Sequence, residues 1–167
     1  MTELSMLVYT DLCVGCPCCS VACKQENDLP VGVNWLQVKE VGPFEVGDAL
    51  RVEYRLARCV HCGNPPCISA CSSDAITKRA DGIVIIDQEK CIGCRKCIEA
   101  CPFNAPQYDP RTKTVNMCNL CYPRLERGLP TSCELSCPAR VIYVGETNEI
   151  TSKIQQRRME RQIFKAM

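Results

Sequence analysis

The 167-residue sequence has few aromatic residues with which to build a core. It contains one Trp, five Tyr and three Phe, and its 46% of hydrophobic residues includes 17 cysteines. Without the cysteines only about 60 residues remain for apolar packing, which is little to offset the conformational entropy of a chain of this length. We therefore expect a group bound to the cysteines to contribute to folding.

Three further features that the sequence lacks narrow the range of functions and compartments. The net charge is only +1, so the chain lacks the excess of Lys and Arg that binds nucleic acid. No segment approaches the ~20 apolar residues of a membrane-spanning helix. The N-terminus has no secretory signal and no paired arginines. We expect the protein to lie in the cytoplasm, where disulfides are rare. The alternative is a periplasmic location, reached by export together with a partner that carries a signal.

Motifs of enzymes are also absent. The sequence contains no phosphate-binding loop, no dinucleotide-binding fingerprint and no nucleophile motif. We therefore predict that the chain is not an enzyme in its own right, and we expect no catalytic residue.

Sixteen of the 17 cysteines fall into four groups of four, and Cys18 is left over. The groups are Cys13, Cys16, Cys19 and Cys23; Cys59, Cys62, Cys67 and Cys71; Cys91, Cys94, Cys97 and Cys101; and Cys118, Cys121, Cys133 and Cys137. An internal repeat of this kind governs the choice of fold.

The third group, CIGCRKCIEACP over residues 91–102, is the C-x₂-C-x₂-C-x₃-C-P run of bacterial ferredoxins. In that run three cysteines bind one [4Fe–4S] cluster and the fourth binds a neighbouring cluster. Structural zinc sites instead use two cysteine pairs separated by a longer loop, a spacing that the fourth group alone would satisfy. Taken together, the four groups predict iron–sulfur clusters and not a zinc-stapled interaction module.

Because each fourth cysteine serves a neighbouring cluster, the groups must act in pairs. Nested pairing and sequential pairing both agree with the sequence. The short 72–90 segment between the second and third groups favours pairing those two, which leaves the first group to pair with the fourth.

Secondary structure is expected to be short and mostly extended between the groups. We predict strands over 33–41 and 50–57 with a turn at 42–49, and strands over 75–79, 83–87, 106–109, 113–117 and 140–144. Helical turns are expected over 19–25, 67–71 and 97–101. Residues 146–167 lack Cys, Gly and Pro and predict a helix.

Apolar residues of this C-terminal helix lie on two faces. Ile150 and Ile154 share one face, and the other is formed by Met159, Ile163, Phe164 and Met167. One interpretation is a helix that contacts its own chain and a partner; the other is a helix packed on its own domain with a frayed end.

The stretches CVHCGNPPCISAC, GIVIIDQEKCIGCRKCIEACPFNAP and MCNLCYPRLERGLPTSCELSCP resemble the four-cluster electron-transfer subunits of molybdenum and tungsten enzymes. That family includes the β-subunits of dimethyl sulfoxide reductase, polysulfide reductase and formate dehydrogenase. The resemblance runs from about residue 9 to residue 145. Ser72 departs from the family pattern, since a proline commonly follows the fourth cysteine.

The resemblance implies an α+β fold of two bacterial-type 2[4Fe–4S] ferredoxin folds in one unit, with a β-hairpin insertion and a C-terminal helix. The four-cluster domain would span 1–145, with nested halves formed by 1–58 with 102–145 and by 59–101, followed by the tail 146–167. It implies four [4Fe–4S] clusters. The first site would be Cys13, Cys16, Cys19 and Cys137; the second Cys118, Cys121, Cys133 and Cys23; the third Cys59, Cys62, Cys67 and Cys101; and the fourth Cys91, Cys94, Cys97 and Cys71.

The function implied is single-electron transfer along these clusters. One partner would be a large pterin catalytic subunit with tungsten or molybdenum, and the small size favours a tungsten aldehyde oxidoreductase. The other would be a flavin subunit, a ferredoxin or a second copy bound through the C-terminal helix. The alternatives are a free-standing polyferredoxin and the β-subunit of an exported respiratory molybdoenzyme.

Several single residues carry smaller predictions. Cys18 is expected to pack as a small buried residue, with a redox thiol or a substitute ligand as alternatives. His61 is expected to be a solvated loop side chain, and its alternative role is to tune a cluster by hydrogen bonding. Trp35 is expected to pack in the hairpin. Basic residues near the cysteines could balance cluster charge; they are Lys24, Arg58, Arg95, Lys96, Arg124 and Arg140.

Overall fold

The computed structural model describes residues 3–166, with side chains as far as residue 159, and builds the fold from short elements. The strands are β1 (Leu4–Val8), β2 (Leu36–Val46), β3 (Ala49–Arg58), β4 (Ile76–Lys78), β5 (Val84–Ile86), β6 (Gln107–Asp109), β7 (Thr114–Asn116) and β8 (Ile142–Glu146). The helices are α1 (Cys18–Glu26), α2 (Pro66–Ser69), α3 (Lys96–Ala100), α4 (Tyr122–Leu125), α5 (Ser132–Leu135) and α6 (Thr147–Ala166). A 3-10 turn spans Thr10–Leu12.

The strands form four antiparallel pairs. Three are hairpins between consecutive strands, β2–β3, β4–β5 and β6–β7. The fourth joins the two ends of the chain, since β1 pairs with β8 and Leu4 lies opposite Glu146. These pairs and the short helices give the mixed α and β composition that was predicted.

The predicted hairpins are present with shifted bounds. The turn expected at 42–49 is confined to residues 47–48, because β2 continues to Val46 past an irregularity between Val41 and Phe44. The predicted helical turns correspond to α1, α2 and α3. Strand β1 and helices α4 and α5 were not predicted. Strand β1 has its partner at the far end of the chain, beyond the reach of local patterns.

Two hydrophobic clusters form the interior, and cysteines belong to both. The inner core contains Cys59, Cys67, Ile76, Val84, Cys97, Ala105, Val115, Met117 and Cys118. The outer core contains Cys19, Cys23, Leu36, Cys133, Val141 and Ile142, so it is built from both ends of the chain. Trp35 packs against both cores, and its indole Nε1 donates a hydrogen bond to Asn116 Oδ1 at 2.7 Å.

The C-terminal helix α6 starts where it was predicted and packs against β1 and β8. Arg157 lies over the ring of Tyr9 at 4.0 Å and forms a 2.6 Å ion pair with Asp11. Ile150 is buried, whereas Met159 is exposed. The predicted second face at Ile163, Phe164 and Met167 lies outside the described side chains. Within residues 3–166, no helix is long and apolar enough to cross a membrane.

Candidate metal centre

The cysteines expected at the first, second, third and fourth sites are called here the first to fourth sets. The third set surrounds one cavity. Cys59, Cys62, Cys67 and Cys101 line this space. Helix α2 carries Cys67, and Cys101 ends helix α3. The rest of the wall is apolar and includes Pro65, Pro66, Val84, Pro102 and Met117. Four sulfur donors around a dry space are the donor set that iron–sulfur clusters use, so these residues fit such a group.

The second set surrounds a similar small cavity. It is lined by Cys23, Cys118, Cys121 and Cys133 together with Met6, Trp35, Leu36 and Thr131. Cys23 comes from α1 and Cys133 from α5, while Cys118 and Cys121 follow β7. Thr131 is fully buried, caps α5 and places its hydroxyl 3.5 Å from Cys133 Sγ. The donor set again fits a cluster.

The first and fourth sets lie nearer the surface. Cys13, Cys16 and Cys137 are half-buried around the buried Cys19, and Cys71 and Cys91 are half-buried near Cys97. Cys94 is exposed. Within the described part of the chain, no three His, Cys, Asp or Glu side chains are placed to hold a single metal ion.

Thiols of neighbouring sets lie close enough for the charge of one to raise the pKa of the other. Cys133 of the second set raises the pKa of Cys19 of the first. Cys59 of the third set raises the pKa of Cys118 of the second, and Cys67 of the third raises the pKa of Cys97 of the fourth. The sets therefore follow one another as first, second, third and fourth.

Burial raises the pKa of most of these thiols. It raises the pKa of Cys118 to about 12, and the pKa values of Cys19, Cys59 and Cys97 to about 11, with neighbouring thiols adding to the rise. These thiols are therefore protonated in iron-free protein at neutral pH, and metal binding must release their protons.

Cys71 shows the opposite shift. Burial alone would raise the pKa of its thiol, but the Ser73 hydroxyl at 3.6 Å and the backbone N–H groups of Ser73, Ala75 and Ile76 lower it. The fourth set therefore contains one thiol whose pKa lies below that of an ordinary cysteine.

Backbone N–H groups point at cysteine sulfur in all four sets, and in the second set those of Leu120 and Glu134 hydrogen-bond to Cys118 and Cys133. Val141 donates to Cys137 Sγ at 3.5 Å, Val115 to Cys91 Sγ at 3.3 Å and Ala105 to Cys101 Sγ at 3.5 Å. Such N–H···S bonds stabilise negative charge on the sulfur and tune a bound cluster.

His61 is not the solvated residue that was predicted. Its Nδ1 accepts a hydrogen bond from Val84 N–H at 3.1 Å, and its backbone N–H lies 3.4 Å from Cys59 Sγ. Burial and the charge of Arg58 lower the pKa of His61 to about 4. Its buried Nε2 has no hydrogen-bond partner among the described residues. The prediction was wrong because strand β5, which covers the ring, is distant in sequence.

The prediction that Cys18 packs as a small buried residue was also wrong. Cys18 is exposed at the start of α1, and its thiol hydrogen-bonds with that of Cys16. Cys18 therefore lies at the edge of the first set, outside either core.

Arg58 lies between the second and third sets. Its guanidinium donates to the carbonyl oxygens of Cys59 and Met6 at 2.5 and 3.4 Å. Its charge opposes the rise in pKa that burial causes at Cys118 and Cys133. Of the basic residues named from the sequence, Arg58 and Arg124 fit a charge-balancing role, since the charge of Arg124 likewise opposes the rise in pKa at Cys121.

Tyr54 was not identified from the sequence. Gly15, between Cys13 and Cys16, has φ +74°, and a Cβ there would lie 2.5 Å from the Tyr54 ring. The hairpin therefore covers the loop of the first set. The glycine in that loop was the only local signal of a close neighbour.

Comparisons with known proteins find a matching family and several similar proteins. Residues 50–147 match the family described as "4Fe-4S dicluster domain". The B subunit of polysulfide reductase from Wolinella succinogenes is 40% identical, over 92% of this chain and 82% of the relative. The thiosulfate reductase electron transfer subunit of Salmonella typhi is 36% identical, over 92% and 80%. The B subunit of the anaerobic dimethyl sulfoxide reductase of Escherichia coli K12 is 34% identical, over 91% and 78%.

Proposed function

The chain belongs to the family of [4Fe–4S] electron-transfer subunits of molybdenum- and tungsten-pterin oxidoreductases, and from this membership we propose which cysteines hold each cluster. Its cofactors are [4Fe–4S] clusters, and it is an electron-transfer subunit of a reductase complex, distinct from the catalytic subunit.

The proposed assignment is nested. The first site is Cys13, Cys16, Cys19 and Cys137, and the second is Cys118, Cys121, Cys133 and Cys23. The third is Cys59, Cys62, Cys67 and Cys101, and the fourth is Cys91, Cys94, Cys97 and Cys71. The observation that carries it is that the second and third sets each line a separate cavity.

We propose the two nested halves of the domain on the same basis. Residues 1–58 with 102–145 would form one ferredoxin-like half around the first and second sites, and 59–101 the other half around the third and fourth. Support comes from the outer core, which draws on both ends of the chain. Ala105, Val115 and Met117 pack in the inner core and would hold the halves together.

When bound, the clusters supply reversible one-electron redox chemistry. The residues of the chain exclude water from the sites and stabilise the charge of the thiolates. Buried apolar side chains, such as Leu36 at the second site and Val84 at the third, exclude water from these sites. N–H groups such as those of Ala105 and Val115 stabilise thiolate charge. The order of the four sets supports transfer between the first site and the fourth, through the second and third.

The partner at one end is the catalytic subunit of a reductase complex. We propose that this subunit acts on a small sulfur-containing or sulfoxide substrate, as the names of the relatives suggest. The tungsten aldehyde oxidoreductase expected from the sequence stays a prediction, as do self-association through α6 and a flavin subunit or ferredoxin at the other end. We propose the cytoplasm as the compartment, since it keeps thiols reduced.

Anaerobic metal analysis tests the cofactor assignment. The holoprotein should contain about sixteen iron and sixteen acid-labile sulfide per chain, since each cubane holds four of each. About eight of each would remove two of the four proposed sites, and zinc without sulfide would overturn the function. Gel filtration of the natural complex tests the partner, because a free-standing polyferredoxin would elute alone.

A further inference from the structure

The β2–β3 hairpin has two faces of different character. Leu36, Val38 and Leu56 face inward and pack against the outer core. Because side chains alternate along a strand, Lys39, Arg51 and Arg55 share the opposite, outward face, and all three are exposed. We call this the basic face.

Two of these cations lie directly opposite each other. Lys39 pairs in register with Arg55, an arrangement in which like charges repel across a strand pair. The acid on this face is Glu53, which forms only a long 3.5 Å contact with the exposed Arg55. Glu40 and Glu45 lie on the other face, so charge is separated across the hairpin. Repulsion of this kind is relieved when an anionic partner covers the face.

A groove of about 200 Å³ continues from the basic face to the body of the protein. Gln37, Lys39 and Ala57 line its hairpin side, and Phe103, Asn104 and Gln107 line the other. Phe103 is 51% exposed and also lines the cavity of the third site. The groove therefore combines polar donors with one apolar anchor next to a proposed cluster site.

We propose that the basic face binds an extended acidic segment of the catalytic subunit. This rests on the proposed function only for the existence of that subunit. Arg51 and Arg55 are four residues apart on one strand, about 13 Å. Two carboxylates four residues apart in an extended segment have the same spacing, so such a segment matches the face in charge and in length.

Two other occupants fit less well. A second copy could place its Glu40 and Glu45 on the basic face, but this head-to-tail contact joins two different surfaces, so it would build a ring or a filament and not a two-fold dimer. Nucleic acid would need a broader basic surface than three cations on a chain of net charge +1.

The test is binding of the holoprotein to its catalytic subunit. The double variant Lys39→Glu with Arg55→Glu should weaken binding at least about tenfold at low salt, and should remove most of the salt dependence. Glu40→Lys with Glu45→Lys on the opposite face is the matched control and should leave the dissociation constant unchanged. Iron content and the spectra of the clusters should be unaltered in both variants.

Charged residues also protect exposed strand edges from unwanted pairing. Glutamate at 39 and 55 would protect equally well, so unchanged binding in the basic-face variant would overturn the proposal in favour of that role. Sedimentation of the holoprotein alone gives a second arm, because loss of self-association with intact subunit binding would assign the face to a second copy. A wild-type protein with full iron that binds no catalytic subunit would instead contradict the proposed function.

Discussion

The middle pair of proposed sites and the end pair differ in burial. In the second site Cys23, Cys118, Cys121 and Cys133 are only 6–8% exposed, whereas in the fourth site Cys94 is exposed. Apolar walls enclose the middle sites, and loops near the surface carry the end sites. Since burial and solvent access set cluster potentials, the two pairs should differ in redox behaviour, with the end pair nearer to solvent.

The largest expected effect comes from removing a ligand of a middle site. Cys118→Ser should lose about four iron per chain and lower the thermal midpoint, because the second site lies next to the outer core. Cys94→Ser should change the iron content of the fourth site with little effect on the thermal midpoint. Iron analysis and thermal unfolding of the anaerobic proteins measure both.

The exposed Cys18 provides the control for the two variants Cys118→Ser and Cys94→Ser. Cys18→Ser should retain all iron and the wild-type midpoint, since Cys18 lies outside the proposed sets. Equal thermal midpoints for Cys118→Ser and Cys94→Ser would contradict the distinction between middle and end sites.

The next effect depends on pH. Below the ordinary thiol pKa of 9.0, protons compete with iron for each cysteine. Ser73 lowers the pKa of Cys71, so it favours the thiolate and weakens this competition. Ser73→Ala should raise that pKa, and the fourth site should then lose iron at a higher pH as the solution is acidified. Iron retention between pH 8 and pH 5 measures the shift.

Ser72→Ala supplies a neighbouring control and should follow the wild-type curve. If Ser73→Ala also retained iron as the wild type does at every pH, the Ser73 hydroxyl would have no part in holding the Cys71 thiolate.

The smallest expected effect concerns Arg58 between the middle sites. Its positive charge favours the reduced, more negative state of a nearby cluster, so Arg58→Gln should lower the potential of a middle site. A shift on the order of 60 mV corresponds to a tenfold change for one electron. Redox titration followed by electron paramagnetic resonance measures it. Arg55→Gln, on the same strand but exposed, should leave all potentials unchanged.

Much of this architecture is local and was predictable. Cysteine spacing identified the four groups, and the Gly, Pro and Asp between strands identified the hairpins. The helix from Thr147 followed from a segment free of Gly and Pro. Each of these features depends on residues close together in the chain, where pattern and structure have a direct relation.

Features that depend on distant residues were not predictable. Val84 covers His61, Tyr54 covers Gly15, and β1 finds its partner in β8. No periodicity marks such contacts. The exposure of Cys18 escaped prediction for a related reason, because its neighbours Cys16 and Cys19 turn toward the first site and leave the intervening thiol outside.

Pairing of β1 with β8 has a consequence for synthesis of the protein. Leu4–Val8 leaves the ribosome well before its partner strand Ile142–Glu146 has been made. Strand β1 therefore cannot pair with β8 until all four groups of cysteines have been synthesised. Pairing of these strands, and closure of any site that needs Cys137, must follow synthesis of the other three groups.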